Sequence, residues 1–144
     1  MKKGNKGFSL LELLIVVAII LIIATIAIPS LLRSRQAANE SAAVANLRTL
    51  NTAEVTYLSS SGGNYGSLAG LVAAGLIDGT FMGPNPKAGY NFGITNTGTD
   101  YTATAYPAST NTGRWGYYST PDAVIRYSTA TSLAPAGQAG NAVN

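Results

Sequence analysis

Gly7-Phe8-Ser9-Leu10-Leu11-Glu12-Leu13-Leu14 opens a stretch that stays apolar to Ile28, with Thr25 the one polar residue after Glu12. From Phe8 to Ile28 there are 21 residues. As a helix they span about 32 Å at ~1.5 Å per residue, the thickness of a bilayer's hydrocarbon core. Glu12 is out of place there, since a carboxylate at the centre of such a helix costs roughly 2.5–3.5 kcal/mol on insertion scales. A charge kept against that cost needs a partner. Cleavage between Gly7 and Phe8 would create one, a new α-amino group on Phe8 able to pair with Glu12 of its own or a neighbouring chain.

Upstream, Met1-Lys2-Lys3-Gly4-Asn5-Lys6 is short and basic. An ordinary secretory signal also begins this way, but Glu12 would spoil its apolar core, and Thr25-Ile26-Ala27 is a poor cleavage site. A plain membrane anchor fits the length but has no use for Glu12 or the Gly7-Phe8 junction.

The basic leader ending in glycine, the Gly7-Phe8 junction, Leu10-Leu11-Glu12 and the apolar run closing on Pro29 together resemble the class III signal of type IV pilins and type II secretion pseudopilins. The resemblance is strong from Met1 to about Leu58 and weak beyond. It implies removal of residues 1–7 by a prepilin peptidase, N-methylation of Phe8, and a filament built on packed N-terminal helices. It also implies an inner-membrane precursor with a cytoplasmic N-terminus, which then passes to an extracellular pilus or a periplasmic pseudopilus. The implied partners are further copies of the chain, the peptidase and the assembly machinery. The function expected first is structural subunit, as major pilin, of a type IV pilus. A core pseudopilin is the alternative within the class, and a membrane-tethered or filament-borne ligand- or DNA-binding module is the alternative outside it.

The formal net charge of +3 comes from the leader. Without Lys2, Lys3 and Lys6 there remain Arg33, Arg35, Arg48, Lys87, Arg114 and Arg126 against six acids, a sum of zero. The leader lysines suit retention of the N-terminus on the cytoplasmic side. Cysteine and histidine are both absent, which removes disulfides, the usual triad base and the commonest transition-metal ligand. An enzyme is not indicated, and no cofactor is expected.

Backbone chemistry divides the chain. No glycine lies between Gly7 and Gly62, and fourteen of the sixteen lie from Gly62 onward. The pattern predicts one helix from Phe8 to about Leu58, with residues 8–32 apolar and 33–58 amphipathic. A kink or local opening is expected at Pro29, whose ring removes a donor and crowds the carbonyl four residues earlier. Ala43, Leu47, Leu50, Ala53 and Tyr57, widened by Val44, Val55 and Leu58, form a core face. Arg33, Arg35, Glu40, Arg48 and Glu54 are expected on the other faces.

Residues 59–144 read as an α+β head. Ser67 is expected to cap a short helix that stops at Gly75. Tyr90, Phe92 and Ile94 alternate with polar residues, and Tyr101–Tyr106, Arg114–Ser119 and Ala123–Ser128 complete a four-stranded antiparallel sheet. Thr129–Asn144 is expected as a loose tail. The whole is a ladle, a long helix whose second half packs under the sheet, with Tyr90, Phe92 and Ile94 on the covered face.

Other residues were weighed for chemistry. Arg33 and Arg35 suit interfacial anchoring at the membrane exit. Asp78, Asp100 and Asp122 are too scattered for a calcium loop and read as solvated turn carboxylates, so no metal is expected. Tyr90, Tyr101, Tyr106, Trp115, Tyr117, Tyr118 and Tyr127 are expected to line the sheet–helix interface. Nucleic acid is not expected as a partner, because no basic patch accompanies them.

Overall fold

The computed structural model describes residues 7–128 and 140–143. The chain divides into two compact units, Met1–Ser34 and Arg35–Asn144, and helix α1 (Leu10–Ser60) runs through both. The helical assignment continues through Pro29, whose ring removes the one donor that would have met the Thr25 carbonyl. Thr25 itself donates its hydroxyl to the Ile22 carbonyl at 2.7 Å.

In the second unit α1 is followed by α2 (Leu68–Ala73), built as its sequence demands. Ser67 Oγ accepts the Gly70 amide at its start. At its end Gly75 takes φ +70°, its amide meets the Val72 carbonyl, and the Leu76 amide reaches back to Leu71. This is a Schellman stop, and it needs the left-handed residue that glycine supplies without strain. A 3-10 turn, Gly79–Met82, comes next, capped by Asp78.

The sheet is antiparallel throughout, in the order β1 (Tyr90–Asn96), β2 (Tyr101–Pro107), β3 (Gly116–Ser119), β4 (Ile125–Ser128) and β5 (Asn141–Ala142). The four expected strands are present, and the expected number is corrected to five. Asn141 and Ala142 have little strand propensity, and they pair with Tyr127 and Arg126 through the otherwise open backbone edge of β4. Of the expected tail, residues 129–139 and 144 lie outside the described residues.

Register places Phe92, Ala105, Tyr117 and Tyr127 in one cross-strand row, and Ile94, Ala103, Ser119 and Ile125 in another. These rows face Ala43, Leu47, Leu50 and Ala53 of α1 in a single core. Tyr90 is fully buried, and Phe92 and Ile94 pack partly buried against the same core, so the covered face of β1 is the expected one.

Three expectations about facing are corrected. Glu40 and Glu54 lie on the buried face of α1, not on the solvent faces. Val55 is exposed and does not widen the core stripe. Tyr106 is 44% exposed, on the opposite side of β2 from Tyr101, Ala103 and Ala105, and Tyr118, whose cross-strand partners are Thr104 and Arg126, is buried on that same far side, so neither lines the sheet–helix interface.

Buried polar groups are joined to one another. Asn51 Nδ2 donates to Ser119 Oγ at 2.8 Å, and its Oδ1 accepts the Tyr101 hydroxyl at 3.0 Å, which ties α1 to β2 and β3. Glu40 accepts the backbone N–H, Nε and Nη2 of Arg114 at 2.9, 3.1 and 3.0 Å. Gln36 and Asn39, on the same side of α1, donate to the Thr110 and Thr112 carbonyls. The loop between β2 and β3 is thus held on the helix by polar side chains, where apolar packing gives out.

Candidate functional site

The residues expected to carry processing and assembly lie on one short segment. Gly7 and Phe8 precede the helix, and Phe8 is 77% exposed. A side chain at Gly7 would meet nothing within 4 Å of the chain itself, so packing within the chain does not require glycine there. A requirement for glycine would have to come from outside, from whatever grips the segment.

Ser9 begins the helix. Its Oγ accepts the Leu11 amide at 3.3 Å, and its carbonyl accepts the Leu13 amide at 3.2 Å. Glu12 reaches back, and its Oε2 accepts the Ser9 amide at 2.9 Å. Ser9 and Glu12 thus cap the helix start together, the Ser9 hydroxyl holding the Leu11 amide and the Glu12 carboxylate the Ser9 amide, each a donor that the first turn leaves open. Ser9 was missed in the sequence, although Ser-x-x-Glu before an apolar run is the pattern of such a cap. Within one chain, then, Glu12 is bound to Ser9. Oε2 of Glu12 is thus engaged, and Oε1 has no hydrogen-bond partner among the described residues.

Beyond Glu12 the side chains of the apolar run lie in the open. Its most apolar window has a mean hydropathy of 3.1, and none of it is buried within the chain. Such a surface is unstable in water and is stable only in lipid or against other helices.

The charged residues sort into two groups. Lys87 pairs with Asp78 at 2.9 Å, Arg114 with Glu40 at 3.0 Å and Arg126 with Asp122 at 2.6 Å. The Thr80 hydroxyl and the Lys87 ammonium hold the Asp78 carboxyl down at about 2. The Arg126 guanidinium does the same for Asp122, also to about 2. These two are bonded turn carboxylates, a correction to their reading as merely solvated groups. By contrast Arg33, Arg35, Arg48 and Asp100 are exposed and join no ion pair among the described residues. Among the described residues the Asp100 carboxylate accepts the Tyr101 amide, and its backbone carbonyl accepts the Thr97 amide.

No group of three or more histidine, cysteine or acidic residues is placed to hold a metal ion among the described residues. Most aromatic side chains pair with one another inside the head. Tyr65 stacks on Tyr101 with ring centres 4.7 Å apart, Phe81 on Phe92 at 5.3 Å and Trp115 on Tyr127 at 5.5 Å. Burial pushes the Tyr117 hydroxyl up to about 12.

Comparison with known proteins agrees with the N-terminal geometry. Residues 2–28 match the model of the prokaryotic N-terminal methylation motif. The chain is 47% identical over 55 residues to the type IV major pilin protein PilA of Myxococcus xanthus, covering 38% of this chain and 25% of that one. It is 38% identical over 74 residues to the type IV wide pilus major component PilA4 of Thermus thermophilus, covering 51% of this chain and 56% of that one. The chain thus spans a quarter and about half of the lengths of these two relatives. No solved structure matches it at a significant level. The chain carries the prokaryotic N-terminal methylation motif ahead of an α+β head of pilin-like fold, and in sequence it is similar to the type IV pilins.

Proposed function

We propose that this chain is a structural subunit, as major pilin, of a type IV pilus. The observation that carries the reading is the wholly exposed apolar half of α1, which bears the methylation motif at its start and joins a head with its own separate core. An apolar helix of this length has two stable surroundings, the bilayer before assembly and other copies of itself after it.

In this reading a prepilin peptidase removes residues 1–7 and Phe8 becomes the methylated N-terminus of an inner-membrane protein. Further copies then pack their residues 8–32 together as the fibre core. Glu12 pairs with the Phe8 amine of a neighbouring subunit and sets the height at which each copy docks. Pro29, with one helical bond already missing, is the point where α1 can bend during packing. The activity is structural and involves no catalysis.

Electron microscopy of material sheared from cells tests this. Fibres composed of the chain, with a mature mass that begins at a methylated Phe8, are the expected result. A chain that stays in the membrane fraction of piliated, secretion-competent cells would overturn it.

A further inference from the structure

One stripe of α1 is exposed among the described residues, and its Ser41 and Arg48 border a cavity that Tyr117 and Val143 also line. Ala38, Ser41, Ala45, Arg48, Thr52 and Val55 recur at alternating steps of three and four, and every one is exposed. The stripe lies away from the face that carries Leu47 and Leu50 into the core. Its side chains are small, which allows another backbone to approach closely.

The hydroxyls on and beside the stripe make no outward demand. Thr49 donates to the Ala45 carbonyl at 3.2 Å, Thr52 to Arg48 at 3.0 Å and Thr56 to Thr52 at 2.9 Å. Bonds of this kind survive when the surface is covered. Arg48 is different, because its guanidinium has five donors and joins no carboxylate among the described residues. Covering the stripe therefore requires that the covering partner bring an anion.

Elimination identifies it. Of the six acids, Glu40, Asp78 and Asp122 are taken by cations of the same chain. Glu54 is fully buried and Glu12 belongs to the N-terminal cap. Asp100, exposed in the turn between β1 and β2, is the one carboxylate left. Among the cations, Arg33 and Arg35 lie just past the apolar run, where lipid phosphates can meet them. Arg48 lies sixteen residues beyond Leu32, about 24 Å farther along a helix and out of that reach.

Resting on the pilus reading above, we propose that a second copy of the chain covers this stripe and pairs its Asp100 with Arg48. A cation and an anion on separate elements make a contact that does not close on itself. Each copy offers one half to the neighbour on either side, the kind of interface that propagates into a helical fibre.

The lack of cysteine makes the test clean. Arg48→Cys and Asp100→Cys chains, expressed together and mildly oxidised in sheared fibres, should give a disulfide-linked dimer. Neither chain alone should give it, nor should Arg48→Cys with Ser109→Cys. In parallel, Arg48→Glu should lower the number of fibres by about tenfold, and adding Asp100→Arg should restore it to within about twofold. Fibres without the mixed dimer, or without rescue by the swap, overturn the pairing and leave the subunit reading intact. Absence of fibres from the unaltered chain overturns both.

Discussion

The Glu54 carboxylate accepts the Gly66 amide at 2.8 Å through one oxygen, while the other is buried with no donor among the described residues. No cation faces the pair. Tyr101 of β2 and Tyr65 of the loop after α1 lie nearby, and Glu54 is the first of the carboxylates that act on Tyr101, ahead of Asp122 and Asp100. Burial raises Glu54 above its ordinary 4.5, against a smaller opposing pull from the Gly66 amide. The folded chain thus holds this proton more tightly than the unfolded chain. Its contribution to stability is whole below the ordinary value and is lost as pH rises through the folded one.

Glu54→Gln keeps an acceptor for Gly66 and removes the titration. Its denaturation midpoint in detergent should exceed that of the parent, with a gap that widens as pH rises above the ordinary 4.5 and levels off once Glu54 is ionised in the folded chain. Asp78 and Asp122 act in the opposite sense. Both are depressed from 3.8 to about 2, so the stability they give is lost as pH falls through that range, equally in both chains. A gap that is constant with pH would show that Glu54 titrates alike in the folded and unfolded chains.

Two turns hold alanine where the backbone is left-handed. Ala88 has φ 51° in the two-residue hairpin Lys87–Tyr90, and Ala123 has φ 58° after Thr120-Pro121-Asp122. Glycine removes the Cβ clash at such positions and gives back part of the gain as unfolded-state entropy. Ala88→Gly and Ala123→Gly should each stabilise the head by about 0.5–1 kcal/mol, measured by denaturant midpoint. A loss of stability in both would contradict the left-handed geometry.

Gly113 is needed for the opposite reason. A Cβ there would lie 2.6 Å from Tyr90 Cζ and 2.8 Å from its Cε2. The Tyr90 ring is fully buried and its hydroxyl donates to the Trp115 carbonyl at 3.0 Å, so it has nowhere to retreat. Gly113→Ala should cost about 2–4 kcal/mol through overpacking and the lost hydrogen bond. Tyr90→Phe, which loses only the bond, should cost about 1 kcal/mol. Equal effects from the two variants would place the strain elsewhere.

At the N-terminus, Gly7→Val should leave a full-length, membrane-retained precursor, as read by mass spectrometry, since nothing within the chain opposes a side chain there. Glu12→Ala should still insert and be cleaved after Gly7 but should yield about tenfold fewer fibres, because a neighbour's Phe8 ammonium is left unpaired. Glu12→Gln, which keeps the shape and the capping bond to Ser9, should fall between the two. Normal fibre number from Glu12→Ala would separate this residue from assembly.

Local signals made much of this fold legible. The glycine-free stretch predicted α1, Ser67 and Gly75 marked the limits of α2, and alternation chose the covered face of β1. The buried acids escaped because a charge on an amphipathic helix is assigned to solvent by default. Yet Glu40, Ala43, Leu47, Leu50 and Glu54 stand at steps of three, four, three and four. Their register placed both acids on the core stripe, and only the partners, Arg114 and Gly66, were out of sight. Tyr106 was misassigned by treating aromatic character as sufficient, since it lies an odd number of positions from Tyr101 and so on the other face. β5 was beyond reach, because a two-residue strand of Asn141 and Ala142 is defined only by its neighbour's open edge.

The hydrogen bonds that Gln36 and Asn39 donate to the loop between β2 and β3, and that Glu40 accepts from it, close over sequence separations of 74, 73 and 74 residues. Contacts so far apart form late, since the chain between must be ordered before they repay its entropy. If the chain is exported as proposed above, the helix around Gln36–Glu40 waits, with its polar side chains unmet, until residues 110–114 have crossed and the sheet has formed. A subunit halted midway through translocation would have a formed helix and an unfastened head, which makes this seam the place where a periplasmic protease could tell an unfinished subunit from a finished one.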